Sequence, residues 1–223
     1  MPFSIYFVEI SDTFSADKID RRLQELTIGM RDKIMSYKDD KERLCRLCGK
    51  LLLSKLLSDN NLSQFTSLAE MHYNDFAKPY INADFDFNIA HSGDIAMCAF
   101  TNGNGRVGID IEKIKKTDIN IFKEQFTLEE WSYIHKADQK MDAFYKLWVR
   151  KEAVMKATGK GVFHSMTETD ATKDMLTIGE NIFYVKDIFV ASSYAASITA
   201  TEQIIDIQIK KMDIHALLNT SIL

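Results

Sequence analysis

Between residues 94 and 112 two stretches of strand-like alternation flank the run Thr101-Asn102-Gly103-Asn104-Gly105. Asn and Gly tolerate positive φ, so this run predicts a reversal, and the whole segment 94–112 is expected to form a hairpin. A third stretch precedes it. In Asp84–Ala90 the apolar Phe85, Phe87 and Ile89 alternate with Asp86, Asn88 and Ala90, the pattern of a half-buried strand. A chain with three such segments in about thirty residues must build a sheet.

Helical spacing surrounds this meander. Ser4–Ile10 alternates as an opening strand, and Ser15–Leu26 follows the polar starter Ser11-Asp12-Thr13 with helical periodicity. Leu44, Leu47, Leu51, Leu52 and Leu56 predict one long helix over 39–57, with Lys41, Arg43, Arg46 and Lys50 along its polar side. Residues 59–67 read as a polar loop. Helices are expected over 118–125, 127–137 and 140–158, the last capped by Gly159. Strands are expected at 182–190, 195–200 and 204–209, with a helical tail after Met212. The class is α+β with antiparallel sheets. Each half opens on a strand, continues in helices and ends in a small meander, dividing the chain into 1–105 and 106–223 around one site.

Composition excludes several function classes. Of 223 residues 46% are hydrophobic, enough for a buried core. The formal net charge of −4 does not suit a nucleic-acid-binding surface. No apolar run approaches the roughly 18 residues of a membrane span. Three cysteines and no recognisable export signal favour a reducing cytoplasm over a disulfide framework. Cys45 and Cys48 lie among helical leucines and read as small buried residues rather than a metal or redox pair.

Four local patterns could carry chemistry. In Val107–Glu112 the strand period sends Val107, Ile109 and Ile111 to one face and Gly108, Asp110 and Glu112 to the other. Two carboxylates about 7 Å apart on a strand can share a Mg²⁺, or simply line a solvated face. Glu152 and Lys156 stand four apart on a helix with Trp148, a surface ion pair or part of a site. His91-Ser92-Gly93 places an imidazole in a turn whose amides suit an anion, or is a structural turn. Thr127 and Glu130 have the spacing of a capping box.

The ordered set Phe87-Asn88-Ile89-Ala90-His91-Ser92, Val107-Gly108-Ile109-Asp110-Ile111-Glu112 and Trp148-Val149-Arg150-Lys151-Glu152-Ala153-Val154-Met155-Lys156 resembles the three signature motifs of the 4′-phosphopantetheinyl transferases. It is most similar to the larger surfactin-synthetase-activating branch, and Lys78-Pro79 resembles that branch's lysine–proline pair. The resemblance spans about residues 30–200. It implies a monomer of two similar subdomains, each a small antiparallel sheet packed with helices, related by a pseudo-twofold. It also implies transfer of 4′-phosphopantetheine from coenzyme A to a serine of an acyl or peptidyl carrier protein, with release of 3′,5′-ADP.

Carried over residue by residue, the resemblance makes Asp110, Glu112 and Glu152 ligands of Mg²⁺, with Mn²⁺ as an alternative. Lys156 would stabilise charge on the transferring phosphate or the leaving group, and Lys151 would contact phosphate or pantetheine. Glu130 would be general base, or remain a helix cap. His91 would bind the 3′-phosphate with Arg46, Arg43 being the second choice. Lys78 and Pro79 would line the adenine site, and Asn88 and Ala90 would flank the nucleotide. Ala90 stands where the family usually has Ser or Thr, so one hydrogen bond of about 0.5–1.5 kcal/mol to coenzyme A is expected to be missing. Arg150 also departs from the pattern and is expected to add to the phosphate field or to face solvent. Two other classes fit parts of the pattern: a catalytically silent module that binds coenzyme A or carrier, and a metal-dependent phosphodiesterase.

Overall fold

The computed structural model describes residues 3–10, 16–160, 167 and 169–219. The helix starter Ser11-Asp12-Thr13 lies outside the described residues. The elements follow in the order β1 (Phe3–Glu9), α1 (Ala16–Glu25), α2 (Ile28–Met35), α3 (Asp40–Asp59), β2 (His72–Tyr73), β3 (Pro79–Tyr80), β4 (Phe85–Ser92), β5 (Ile95–Asn102) and β6 (Val107–Lys113). Then come α4 (Leu128–Lys136), α5 (Lys140–Thr158), β7 (Met175–Ile178), β8 (Asn181–Asp187), β9 (Tyr194–Ala200), β10 (Ile207–Met212) and α6 (Ile214–Asn219). No helix among the described residues is long and apolar enough to cross a membrane.

Two four-stranded sheets, ordered β10-β1-β5-β4 and β6-β9-β8-β7, form the centre of an α+β fold. Strand periodicity explains the layering. Ile5 and Phe7 of β1 with Met97 and Ala99 of β5 share one buried cluster with Val107, Ile109 and Ile111 of β6 and Ile198 of β9. The opposite face of the first sheet carries Tyr6, Val8, Phe85, Phe87 and Cys98, and α3 covers it with Leu44, Leu47, Leu51, Leu52 and Leu56. The second sheet is covered by α5, through Val154 and Ala157 against Phe183 and Val185. All three cysteines are buried as free thiols.

The expected hairpin over 94–112 does not form. β5 pairs with β1 and β4, whereas β6 pairs with β9. The tight reversal is one strand earlier, at Gly93-Asp94 between Ser92 and Ile95; Thr101 and Asn102 still pair in β5, and residues 103–106 carry the chain from one sheet to the other. Alternation specifies which face of β6 is buried but not which strand pairs with it. A second departure concerns strand direction: β1 pairs with β10 in parallel, so the sheets are not wholly antiparallel. With α6, whose Ile214, Leu217 and Leu218 enter the α3 core, β10 returns the end of the chain to the first layer. Residues 207–219 therefore complete the N-terminal layer although they lie beyond the 105/106 division. Helix α2, only two of whose residues are buried, and the short strands β2, β3 and β7 had no legible period. The segment 119–125 is 3₁₀ rather than α-helical.

Candidate active site

Gly108 sets the geometry between β6 and α5. A Cβ there would fall 2.0 Å from the Ala153 carbonyl oxygen and 2.4 Å from the Ala157 nitrogen, so the helix backbone rests directly on the strand. Asp110 on β6 therefore meets α5 at Glu152 and Lys156. The Lys156 ammonium donates to Asp110 Oδ1 at 2.6 Å, while Asp110 Oδ2 is buried with no hydrogen-bond partner. Ser92 Oγ donates to Glu112 Oε2 at 2.7 Å.

Burial raises all three carboxylates, and the charge of Asp110 adds to it at Glu112 and Glu152. Burial, followed by the charges of Asp110 and Glu112, pushes Glu152 up to about 7. Burial also raises Asp110, against the pull of Lys156, and raises Glu112, with Asp110 adding to it. Buried carboxylate oxygens, one of them orphaned, are the donor chemistry that a hard divalent cation takes. Among the described residues, no three acidic, His or Cys side chains are drawn together as placed closely enough to hold one. The Lys156 ammonium is the counter-charge at Asp110.

β4 and β6 are edge strands of different sheets, joined side by side through side chains rather than a backbone ladder. Asp86 Oδ2 accepts from Val107 N at 2.8 Å, Asn88 Oδ1 from Ile109 N at 3.0 Å, and Ser92 Oγ from Lys113 N at 3.1 Å, each 21 residues on. Lys78 braces this seam, donating to Asp86 Oδ2 at 2.7 Å and to the Val107 carbonyl at 3.2 Å. Ala90 belongs to the same alternate series, and its methyl is buried in the core between the sheets. What it can offer a ligand is backbone alone, so the expected loss of a hydroxyl contact to coenzyme A has no basis in its position.

A cavity of about 240 Å³ runs between these elements, lined by Phe76, Ala77, Lys78, Pro79, Asn88, Ile89, Glu152, Met155, Lys156 and Gly159. Ala77, Pro79 and Ile89 are shared with a second cavity of about 170 Å³, whose polar lining is Lys33, Arg46, Lys50, Tyr73 and His91. The two neighbouring cavities thus form a cleft with Glu152 and Lys156, the latter bonded to Asp110, at one end and basic side chains at the other. Arg46 lies over the Tyr37 ring at 3.8 Å and pairs with Glu42. Burial holds the His91 imidazole below its usual range, opposed by Glu42. Lys50 is lowered to about 8, chiefly by burial, with Lys33 and Arg46 adding a little.

Arg43 is not part of this pocket: its guanidinium bonds the Tyr37 and Met35 carbonyls and Asp40. Lys33 and Lys50 were missed as site residues. Lys50 stands four residues after Arg46 on the same helix face, a legible signal. Lys33 sits on α2, which has no pattern to announce it.

Glu130 and Lys151 are placed otherwise. Glu130 is wholly buried and completes the capping box, accepting from Thr127 N at 2.7 Å while Thr127 Oγ1 accepts from Glu130 N. Its other oxygen accepts from Ala171 N at 2.8 Å and pairs with the Lys151 ammonium at 2.7 Å. Lys151 is itself 1% exposed and also donates to the Thr169 carbonyl. Arg150 is buried too, held by Asp187, Asp174 and the Ala171 carbonyl, so it neither faces solvent nor enters the cleft.

A cleft with acidic and basic ends suits a ligand carrying several phosphates and the cation that accompanies them. Comparison with known proteins agrees. The family model of the 4′-phosphopantetheinyl transferase superfamily matches residues 106–202. A 4′-phosphopantetheinyl transferase of Bacillus subtilis is 32% identical over 162 residues, 71% of each chain. The 4′-phosphopantetheinyl transferase gsp of Aneurinibacillus migulanus is 35% identical over 130 residues, 57% of this chain and 53% of that one. The 4′-phosphopantetheinyl transferase Sfp of Bacillus subtilis strain 168 is 29% identical over 167 residues, again 71% of each. The chain belongs to the 4′-phosphopantetheinyl transferases.

Proposed function

We propose that this protein transfers the 4′-phosphopantetheine group of coenzyme A to a serine of an acyl or peptidyl carrier protein, with Mg²⁺, and releases 3′,5′-ADP. The observation that carries the proposal is the pair of neighbouring cavities that sets Glu152 and Lys156, the latter bonded to Asp110, beside the pocket of Lys33, Arg46, Lys50 and His91. Coenzyme A has the matching order of charges, a pyrophosphate in the middle and a 3′-phosphate at the nucleotide end.

In this reading Asp110, Glu112 and Glu152 would hold Mg²⁺, or Mn²⁺ in its place, and the cation would neutralise the pyrophosphate and orient it. Lys156 leaves its ion pair with Asp110 for the phosphate and offsets charge that grows on the departing 3′,5′-ADP. The serine oxygen bonds the β-phosphorus as the bond to the leaving phosphate breaks, and the hydroxyl proton is released to water. Arg46 and His91, joined by Lys33 and Lys50, take the 3′-phosphate. The stem of Lys78, with Pro79 and Ile89, lines the base site, and Asn88 borders it.

Two layers, each a four-stranded sheet with helices outside, support two similar subdomains related by a pseudo-twofold, with 1–105 completed by β10 and α6 from the second half, 106–223. A monomer in the cytoplasm, with neither nucleic acid nor membrane as partner, accords with the net charge of −4 and the family resemblance.

The test is intact-mass spectrometry of a carrier protein lacking its prosthetic group, incubated with this protein, coenzyme A and Mg²⁺, with EDTA as control. A metal-dependent gain of one phosphopantetheine is expected. No gain on fatty-acid or peptidyl carriers, with the protein folded, would replace the proposal by a silent binding module.

A further inference from the structure

The wall where the two cavities meet is carried by a turn with an unusual backbone. Among the described residues, three that are not glycine take a positive φ: Asn61, Leu68 and Ala77. Of these, Ala77, at φ 62°, is the one that lines the cleft. The left-handed region is unfavourable for a residue with a Cβ and persists where surrounding contacts enforce it. We propose that Asn74 is a positioning residue for coenzyme A: it locks the turn 74–78 with Ala77 in the left-handed region, and so holds Ala77 and Pro79 at the junction of the two cavities. The inference rests on the transferase reading of the cleft.

The enforcing contacts converge on one residue. Asn74 Oδ1 accepts from Phe76 N at 3.0 Å and from Lys78 N at 2.9 Å, the residues on either side of Ala77. The Asn74 backbone closes the same turn, its N–H donating to the Lys78 carbonyl at 3.0 Å and its carbonyl accepting from Ala77 N at 2.9 Å. A short amide side chain that bonds backbone a few residues on is well suited to this task. Its remaining function, Nδ2, donates to the Gly159 carbonyl at 2.7 Å and ties the turn to the C-cap of α5.

Asn74 lines neither of the two cavities, whereas Ala77 and Pro79 line both. Lys78 precedes a proline and is thereby biased to extended backbone, so the direction in which Pro79 leaves the turn is set at Ala77. An ordinary negative φ there would redirect the chain, and the wall that Pro79 shares with Ile89 would not form. Helix α5 is seated separately, by Gly108 against β6. The effect of Asn74 therefore falls on binding of the nucleotide end.

Wild type, N74A, A77G and N74A/A77G would be compared by isothermal titration with coenzyme A in the presence of Mg²⁺, and by thermal midpoint. Glycine takes positive φ freely, so A77G is expected to raise the midpoint by about 2–4 °C. Its Kd is expected to stay within about 3-fold of wild type. N74A is expected to weaken binding about 10-fold, because the competent turn is then a minor conformer. In N74A/A77G the turn reaches the left-handed region without the lock, and Kd is expected to return to within about 3-fold of wild type. A glycine at 77 would not restore a ligand contact of Asn74 or its tie to α5, so this recovery is specific to the turn. N74A binding within about 3-fold of wild type, a loss that A77G does not recover, or an A77G midpoint no higher than wild type would each overturn the proposal. Should N74A not fold, the double variant decides alone: Kd within about 3-fold of wild type supports the lock, and a larger rise overturns it. Wild type that binds no coenzyme A would sink the transferase reading, whereas failure of the lock alone leaves wild-type binding intact.

Discussion

Asn88 Oδ1 accepts the Ile109 amide at 3.0 Å across two strands that belong to different sheets. A side chain thus does what a backbone carbonyl would do in a ladder. The bond is buried, and the amide it satisfies adjoins Asp110, so the position of a carboxylate on one sheet depends on an amide side chain of the other.

Replacing Asn88 by Ala is expected to leave Ile109 N without a partner, at a cost of about 1–3 kcal/mol. At this chain length each kcal/mol lowers the thermal midpoint by about 2–4 °C. Calorimetry checks this, and Mn²⁺ binding followed by electron paramagnetic resonance is expected to weaken in the same variant. An unchanged midpoint would mean that the seam does not hold the sheets.

Gly108→Ala is expected to be among the most damaging single-methyl changes in the protein. The added carbon would meet the Ala153 carbonyl oxygen at 2.0 Å, and helix backbone cannot yield as a side-chain tip can. Forcing α5 outward costs about 1–3 kcal/mol or more and lengthens the distance from Lys156 to Asp110. Transfer is expected to fall by more than about 10-fold, which a discontinuous assay of carrier modification would measure.

Glu152→Gln removes one of three carboxylates that repel each other, so the fold is expected to be as stable as wild type or more so. Turnover is expected to fall at least about 100-fold, since a neutral amide is a poor ligand for a hard cation. Wild-type turnover in that variant would remove Glu152 from the metal site.

Lys50 gives a pH dependence of known sign. Burial lowers its ammonium from the ordinary 10.5 to about 8, so between those values the unfolded chain binds more protons and stability rises with pH. A bound phosphate favours the charged form. Affinity for coenzyme A is therefore expected to weaken as pH rises through 8, and that for 3′-dephospho-coenzyme A to change less. Isothermal titration at pH 7 and pH 9 separates the two ligands, and Lys50→Met is expected to flatten the difference. Equal slopes for both would place the 3′-phosphate elsewhere.

Much of the acidic end of the cleft was legible because it depends on local geometry. A strand sends Asp110 and Glu112 to one side whatever pairs with it, and a helix brings Glu152 next to Lys156 whatever covers it. The leucines of α3 and the alternation of β4 and β6 likewise determined, from sequence alone, which faces would be buried. Periodicity carries no information about the partner. Only the tertiary structure decided that β6 leaves β5 for β9, because Val107, Ile109 and Ile111 would satisfy either neighbour and the core between the sheets admits one. Assembly likewise brought Lys33 of α2 to Arg46, Lys50 and His91. The same holds for Glu130. Its capping box is a relation between residues three apart and could be read directly, but its enclosure depends on Lys151 and Ala171, which only the folded chain brings to it.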